Sequence, residues 1–260
     1  MCNDSMNALD QNPSSAGISG TTQTAAGKCC WCEDFAKIVS ADAVSKYYND
    51  SASPPGQFRS DKQYQVNIKL KSLEAILVVT AKFVNTSGVE ESAVENLKNE
   101  WQSASHKQWN QSQYKLRVTD PECGTKDLKI KHALQWVESG QHIEVRCQSG
   151  KVRANVQGKV MQVGTTSNGW TFSHEIGHVI GLPDEYTDQG NKTVAYRKPN
   201  GTFGPGIKKR IDGVDSTANS NIMSAAGATK IEARHFWPLA TEAQELLIKS
   251  LGRSIKCDIV

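Results

Sequence analysis

The sequence predicts an α+β fold, and three observations carry that expectation. Between Tyr64 and Val163, short runs alternate apolar with polar side chains, the two-residue period of half-buried strands. A long apolar stripe at helical spacing, Val94, Leu97, Trp101 and Ala104, interrupts these runs. Two more helical patterns follow, one through Phe172, Ile176, Val179 and Ile180 and one through Ala243, Leu246, Leu247 and Leu251.

Taken in order, residues 1–27 are rich in Ser, Thr, Gly, Asn and Gln with few large apolar side chains, so burial cannot offset the entropy of ordering them and a disordered tail is expected. Residues 28–60 form a Cys-rich segment in which Phe35, Ile38, Val39, Ala43 and Tyr47 recur at near-helical spacing, predicting short helices before the Ser53-Pro54-Pro55-Gly56 break. The main domain, residues 61–260, opens with a strand through Tyr64, Val66, Ile68 and Leu70, followed by a more apolar one from Ala75 to Val84. Ser87 and Glu90 have the spacing of a capping box ahead of the long helix, which ends near Trp109. Tyr114, Leu116 and Val118 alternate up to Asp120-Pro121, and Ile143, Val145 and Cys147 alternate up to Ser149-Gly150. That last pair reads as a hairpin turn returning through Val152, Ala154 and Val156, with Val160 to Val163 extending the sheet. The segment Lys151 to Val163 is the expected sheet edge beside the second helix. From Tyr186 to Ser220 glycines and prolines punctuate a stretch with almost no apolar periodicity, which predicts a long loop, locally basic through Lys192, Arg197, Lys198, Lys208, Lys209 and Arg210. Thr241 and Gln244 have capping-box spacing before the last helix, which ends at Gly252.

Composition excludes several function classes. With 30 basic against 27 acidic side chains the net charge is +3, and no basic stripe offers a face to nucleic acid. No apolar run approaches the roughly 18 residues of a membrane span, and the mean hydropathy is −0.50. The segment beginning at Met1 lacks both the basic and the apolar region of a secretory signal. The seven cysteines cannot all pair internally; Cys29, Cys30 and Cys32 crowd together, and Cys123 and Cys147 are candidate disulfide partners.

The chemistry concentrates in His174-Glu175-Ile176-Gly177-His178-Val179-Ile180-Gly181-Leu182-Pro183-Asp184. Histidines four apart on a helix share one face, so their imidazoles can converge on one cation, for which zinc is the expected identity. Glu175 falls between them, where its carboxylate can take the proton of a water that the metal has acidified. Gly181 and Pro183 end the helix and turn the chain, which can bring Asp184 back as third ligand. Phe172, Ile176, Val179 and Ile180 would bury the opposite face.

These residues resemble the metzincin zinc peptidases. HEIGHVIGLPD is similar to the family pattern H-E-x-x-H-x-x-G-x-x-H in a variant closing with aspartate, and Asn221-Ile222-Met223-Ser224 resembles the Met-turn that sets a methionine beneath the metal. The resemblance implies a zincin-like fold: a twisted mixed sheet, the long helix and the zinc helix on one side of it, and a small C-terminal subdomain holding the Met-turn and the final helix. It implies a Zn2+ site formed by His174, His178 and Asp184, Glu175 as general base, and a protein or peptide substrate laid along the sheet edge.

Other candidates surround this set, among them the basic stretch from Tyr186 to Ser220, read either as a rim of the substrate cleft that favours acidic substrates or as a solvated loop without selectivity. His235 is read either as a residue facing the metal or as a structural histidine, Tyr186 as a donor to the oxyanion, and Glu185 and Glu232 as rivals for the third ligand position; His106, His132 and His142 are read as structural. Two alternative functions stay open: a zincin-like binding module that does not cut, and a zinc amidase acting on cell-wall peptides. The tail, the cysteines and the lack of a signal would suit an effector exported by a dedicated bacterial secretion machine, with that machine or an inhibitor as partner; a cytoplasmic location is the alternative.

Overall fold

A computed structural model of the chain describes residues 31–41, 46–51, 62–111, 113–187, 191–211 and 220–260. The tail expected over 1–27 lies outside the described residues. Within them the protein is a mixed α+β fold with three helices. Its strands, in chain order, are β1 (Asp34–Ala41), β2 (Tyr48–Asp50), β3 (Lys62–Lys69), β4 (Glu74–Asn85), β5 (Lys115–Asp120), β6 (Gly124–Trp136), β7 (Ile143–Gln148), β8 (Asn155–Gln157), β9 (Val160–Gly164), β10 (Tyr186–Thr187), β11 (Thr193–Tyr196), β12 (Ile207–Lys208), β13 (Arg210–Ile211) and β14 (Lys256–Ile259). The helices are α1 (Glu91–Trp109), α2 (Gly169–Val179) and α3 (Trp237–Leu251), with a 3₁₀ turn, Ala233–Phe236, leading into α3.

The main sheet is built around β4. Along one flank β4 pairs in parallel with β6; along the other, its first half pairs antiparallel with β3 and its second half in parallel with β7. The sheet continues to β5 and β14 on one side and to β9 and β8 on the other, and β1 adds to β3. This central position fits the apolar content of Ala75 to Val84: neighbouring strands cover both edges, Ala75, Leu77, Val79 and Ala81 are fully buried on one face, and Ile76, Phe83 and Val84 are half-buried.

Helices α1 and α2 pack against each other through large aromatics. Trp101 of α1 stacks on Phe172 of α2 at 5.0 Å and 8°, while its indole N–H donates to the Ser167 carbonyl at 2.9 Å. Further along α1, Trp109 donates to the Ser173 carbonyl at 3.0 Å. Phe172, Ile176, Val179 and Ile180 are all fully buried, so the back of α2 is core, as its spacing predicts.

Several local expectations are corrected. The residues read as short helices within 28–60 include a strand, β1, in register with β3 from Asp34↔Lys69 to Ala41↔Lys62. Phe35, Lys37 and Val39 face inward while Ile38 is 61 % exposed, so the period is two and the apparent helical spacing comes from counting an outward isoleucine as core. The long helix begins at Glu91 with Glu90 at the N-cap and no side-chain cap, so Ser87 and Glu90 form no capping box. Asn85 instead accepts from the Ser87 and Val89 amides, a local turn that competes with capping. At Ser149-Gly150 there is no hairpin: β7 runs parallel to β9, and the antiparallel return is β8 onto β9 around Gly158. The Thr241/Gln244 box also fails, because Thr241 is already inside α3. The box present is Glu232 with His235, closing the preceding 3₁₀ turn.

The stretch from Tyr186 onward is more structured than a loop. β11 pairs with β12 and β2, and β10 pairs with β13. Val194 and Tyr196 are buried, and Lys209 forms a buried 2.6 Å ion pair with Asp50 of β2. Lys209 therefore ties the segment down and is no part of a basic rim. Cys32 and Cys123 each take part in a disulfide, whereas Cys147 is a free buried thiol in β7, so its pairing is corrected.

The long strand β6 is absent from the sequence reading, although Leu128, Ile130, His132 and Leu134 alternate as its inward face. His132 interrupts that apolar face. It is buried, neither of its ring nitrogens meets a hydrogen-bond partner among the described residues, and the His106 ring lies 6.0 Å away. Burial, with His106 adding to it, pushes its pKa down to about 3. The unfolded chain, with a histidine pKa of about 6.5, takes up this proton first, so stability present above pH 6.5 is lost as pH falls toward 3. The expected loss from this one group is about 2 kcal/mol by pH 5. Urea unfolding at pH 7 and pH 5 should show a smaller acid loss for His132→Leu than for wild type; equal losses would assign the acid sensitivity elsewhere.

Candidate metal centre

The site grows from the ends of α2. Asn168 caps its start, accepting from the Thr171 amide at 2.9 Å. At its end Gly181 takes a φ of 92°, the left-handed conformation that glycine enters without penalty. The Leu182 amide then bonds back to the Gly177 carbonyl at 2.9 Å, and the chain reverses. This turn also orients His178, because the Leu182 carbonyl accepts from its Nδ1 at 2.8 Å.

His174 is held in the same manner. Its Nδ1 lies 2.7 Å from the Ile222 carbonyl, which can only accept. Both histidines thus carry the proton on Nδ1 when neutral, leaving each Nε2 lone pair for a ligand. Both Nε2 atoms lie 3.2 Å from the same oxygen, Oδ1 of Asp184, and the imidazole rings stand perpendicular at 4.8 Å. The ligand atoms of His174, His178 and Asp184 all lie within 4.8 Å of one another, a group that could hold a metal ion. Burial works against the Asp184 carboxylate, but the two histidines outweigh it and hold its pKa well below the ordinary range. It therefore stays an anion, the form that ligates.

Glu175, 4 % exposed, occupies the position between the two histidines. Its charge acts on both His174 and Tyr186. Two aromatics lie near His174, Trp170 stacked at 5.4 Å and Tyr186 at 6.2 Å. Burial first, then the Asp184 and Glu175 carboxylates, pushes the Tyr186 phenol up to about 12, with Arg153 opposing. Tyr186 thus remains a proton donor at neutral pH.

Met223, fully buried, packs against α2 at Gly177. A Cβ at Gly177 would come within 2.5 Å of its sulfur and 3.3 Å of Trp109, so only glycine lets this side chain close against the helix. Asn221 shapes the turn: its side chain accepts from the Met223 amide at 2.8 Å, and its carbonyl accepts from the Ser224 and Ala225 amides.

Glu185 connects this turn to Asp184. Its amide donates to the Met223 carbonyl at 2.8 Å, while its carboxylate accepts from Asn221, Tyr196 and both arms of Arg234, each at 2.8 Å. Burial opposes its charge, and the bonds from Arg234 and His235 more than compensate, keeping the pKa far below the usual range. Glu185 is therefore not a rival ligand. Nor is Glu232, which caps the 3₁₀ turn and pairs with Lys230.

His235 faces away from the metal group. Its Nδ1 accepts from the Glu232 amide at 3.2 Å, which leaves Nε2–H to donate to Glu185 at 3.2 Å. The structural reading of His235 holds and the metal-facing one is corrected. His142 and His106 likewise accept backbone amides, from Thr80 and Leu134. No family model, no curated protein and no solved structure matches this chain. Among the described residues, no helix is long and apolar enough to cross a membrane.

Proposed function

We propose that the protein is a zinc-dependent peptidase of metzincin type, with a zincin-like fold. The observation that carries this reading is the pair of carbonyl-fixed histidines aiming both Nε2 lone pairs at the space bounded by one carboxylate oxygen. Two nitrogens and one oxygen make the donor set that zinc takes in catalytic sites, where a fourth position is left open. Met223 packed against Gly177, the paired α1 and α2, and β8 as an antiparallel edge on the sheet also fit the metzincin arrangement.

His174, His178 and Asp184 would hold the ion, which when bound acidifies a water and polarises a carbonyl. Glu175 accepts the proton of the attacking water and delivers it to the leaving amine. Tyr186, still protonated at neutral pH, donates to the oxygen on which negative charge develops. Trp170 and the β8 edge line the approach, where an extended peptide can add as a further strand.

Zinc stoichiometry on purified protein tests the ligand assignment. Asp184→Ala should reduce bound zinc from one per chain to a small fraction after dialysis, because two imidazoles alone chelate weakly. His235→Ala should keep it, or lose it only together with the fold as monitored by circular dichroism. Full zinc retention by a folded Asp184→Ala protein would remove Asp184 from the site.

A further inference from the structure

Beside the metal group stands a cation that the hydrolytic chemistry does not use. Arg153 lies two residues ahead of β8, on the segment that leads into the edge strand, and its guanidinium interacts with the Tyr186 hydroxyl. Tyr186 in turn lies 6.2 Å from His174, ring to ring. Arg153 is exposed, and it takes part in no ion pair among the described residues, whereas nearby Arg146 is satisfied by Glu144. The site therefore holds two carboxylates, Glu175 and Asp184, with an accessible arginine at their margin.

We infer that Arg153 is a specificity-determining residue that binds a carboxylate of the substrate beside the scissile bond. The inference rests on the peptidase reading and adds a substrate class to it. An anionic substrate group entering this cleft meets the repulsion of Glu175 and Asp184 unless it is paired, and the guanidinium can pair it with two parallel N–H···O bonds. Tyr186 fixes where that guanidinium points. A peptide added along β8 runs past Arg153, so the preference falls on residues adjoining the cleaved bond. The carboxylate comes either from an Asp or Glu side chain or from the free C-terminus of a short peptide. Both present the same planar anion.

The experiment uses the full chain loaded with zinc and two peptide sets. One set is amidated at the C-terminus and varies Glu against Gln internally; the other has neutral side chains and varies free acid against amide. Cleavage is followed by mass spectrometry for wild type, Arg153→Gln and Arg153→Glu. Wild type should favour the carboxylate member of at least one set by about ten-fold or more in kcat/KM, the scale of one charge-assisted pair. Arg153→Gln should bring that ratio near one, and Arg153→Glu should reverse it in favour of the Gln or amide member, the ratio being taken within each variant so that any change in basal rate through Tyr186 cancels. The set that responds identifies the source of the carboxylate. Binding of the same peptides to zinc-loaded Glu175→Gln protein, with and without the Arg153→Glu substitution and read by fluorescence anisotropy, gives a measure that needs no turnover. If wild type cleaves nothing while this binding still follows the charge at position 153, the peptidase reading fails and the carboxylate site stands. If neither the cleavage ratio nor the binding changes on Arg153→Glu substitution, the inference is overturned.

Discussion

Replacing Glu175 by glutamine is expected to abolish hydrolysis while leaving the fold and the metal in place. The substitution keeps the side-chain shape and removes the one group positioned between His174 and His178 that can accept a proton. Neither histidine depends on it for orientation, since the Ile222 and Leu182 carbonyls hold their Nδ1 atoms. Zinc content and near-ultraviolet circular dichroism should therefore match wild type. A general base contributes about 10² to 10⁴ in rate, so turnover should drop by at least the lower end of that range. Chelation should silence wild type, and added zinc should restore it. Cleavage by Glu175→Gln at wild-type rates would transfer the base to another residue. Absence of any amide hydrolysis by wild type, on peptide libraries and cell-wall fragments alike, would favour a binding module.

The sequence made the convergence of His174, His178 and Asp184 legible because its geometry is local. His174 and His178 are one turn apart on a short helix, and Gly181 and Pro183 announce the reversal that returns Asp184. Only the shared spacing of four residues was needed, and the helix supplies that geometry wherever it forms. The strand β3 and the stripe of α1 were legible for the same reason, as each repeats a short period over enough residues to be unambiguous. β1 was not. Its eight residues carry one exposed isoleucine, Ile38, on the outward face, and in so short a run this turned alternation into an apparent helix.

What escaped was non-local. The pairing of β7 with β9 in place of β8 depends on which edge β4 leaves open beyond β3, a fact spread over several elements of the sheet. The capping spacings at Ser87 and Thr241 were genuine sequence patterns defeated by a competing turn at Asn85 and by the 3₁₀ turn that starts α3 early. The basic run near Lys209 suggested a substrate rim because a sequence cannot reveal that its lysine closes on Asp50, 159 residues earlier. Glu185 shows this limit within the site itself. Adjacent to Asp184, it reads as a second candidate ligand, and only the convergence of Arg234, Asn221, Tyr196 and His235 gives it a different role. A charged arginine set in the run Arg234-His235-Phe236-Trp237 was the available hint that a buried anion waits for it.

That role yields the second large expected effect, on stability and metal retention together. Glu185→Gln should destabilise the protein by about 3 to 5 kcal/mol, the usual cost of leaving a buried charge without its counter-ion, because Arg234 is held there by two 2.8 Å bonds and has only a 3.8 Å contact to Glu232 as an alternative. In a chain of this size the melting temperature should fall by roughly 10 °C. Zinc should also dissociate faster, since the Glu185 carboxylate accepts from the Asn221 side chain and so ties the residue next to Asp184 to the methionine turn, leaving after substitution only its backbone bond to the Met223 carbonyl. Replacing both partners distinguishes lost geometry from stranded charge. Glu185→Met with Arg234→Met should recover a large part of the stability lost by Glu185→Met alone, since no unpaired ion is left behind. Zinc off-rates should stay fast in the double variant, because Asn221 has still lost its acceptor. Wild-type melting temperature and zinc off-rate in Glu185→Gln would show that the turn holds its place without this carboxylate.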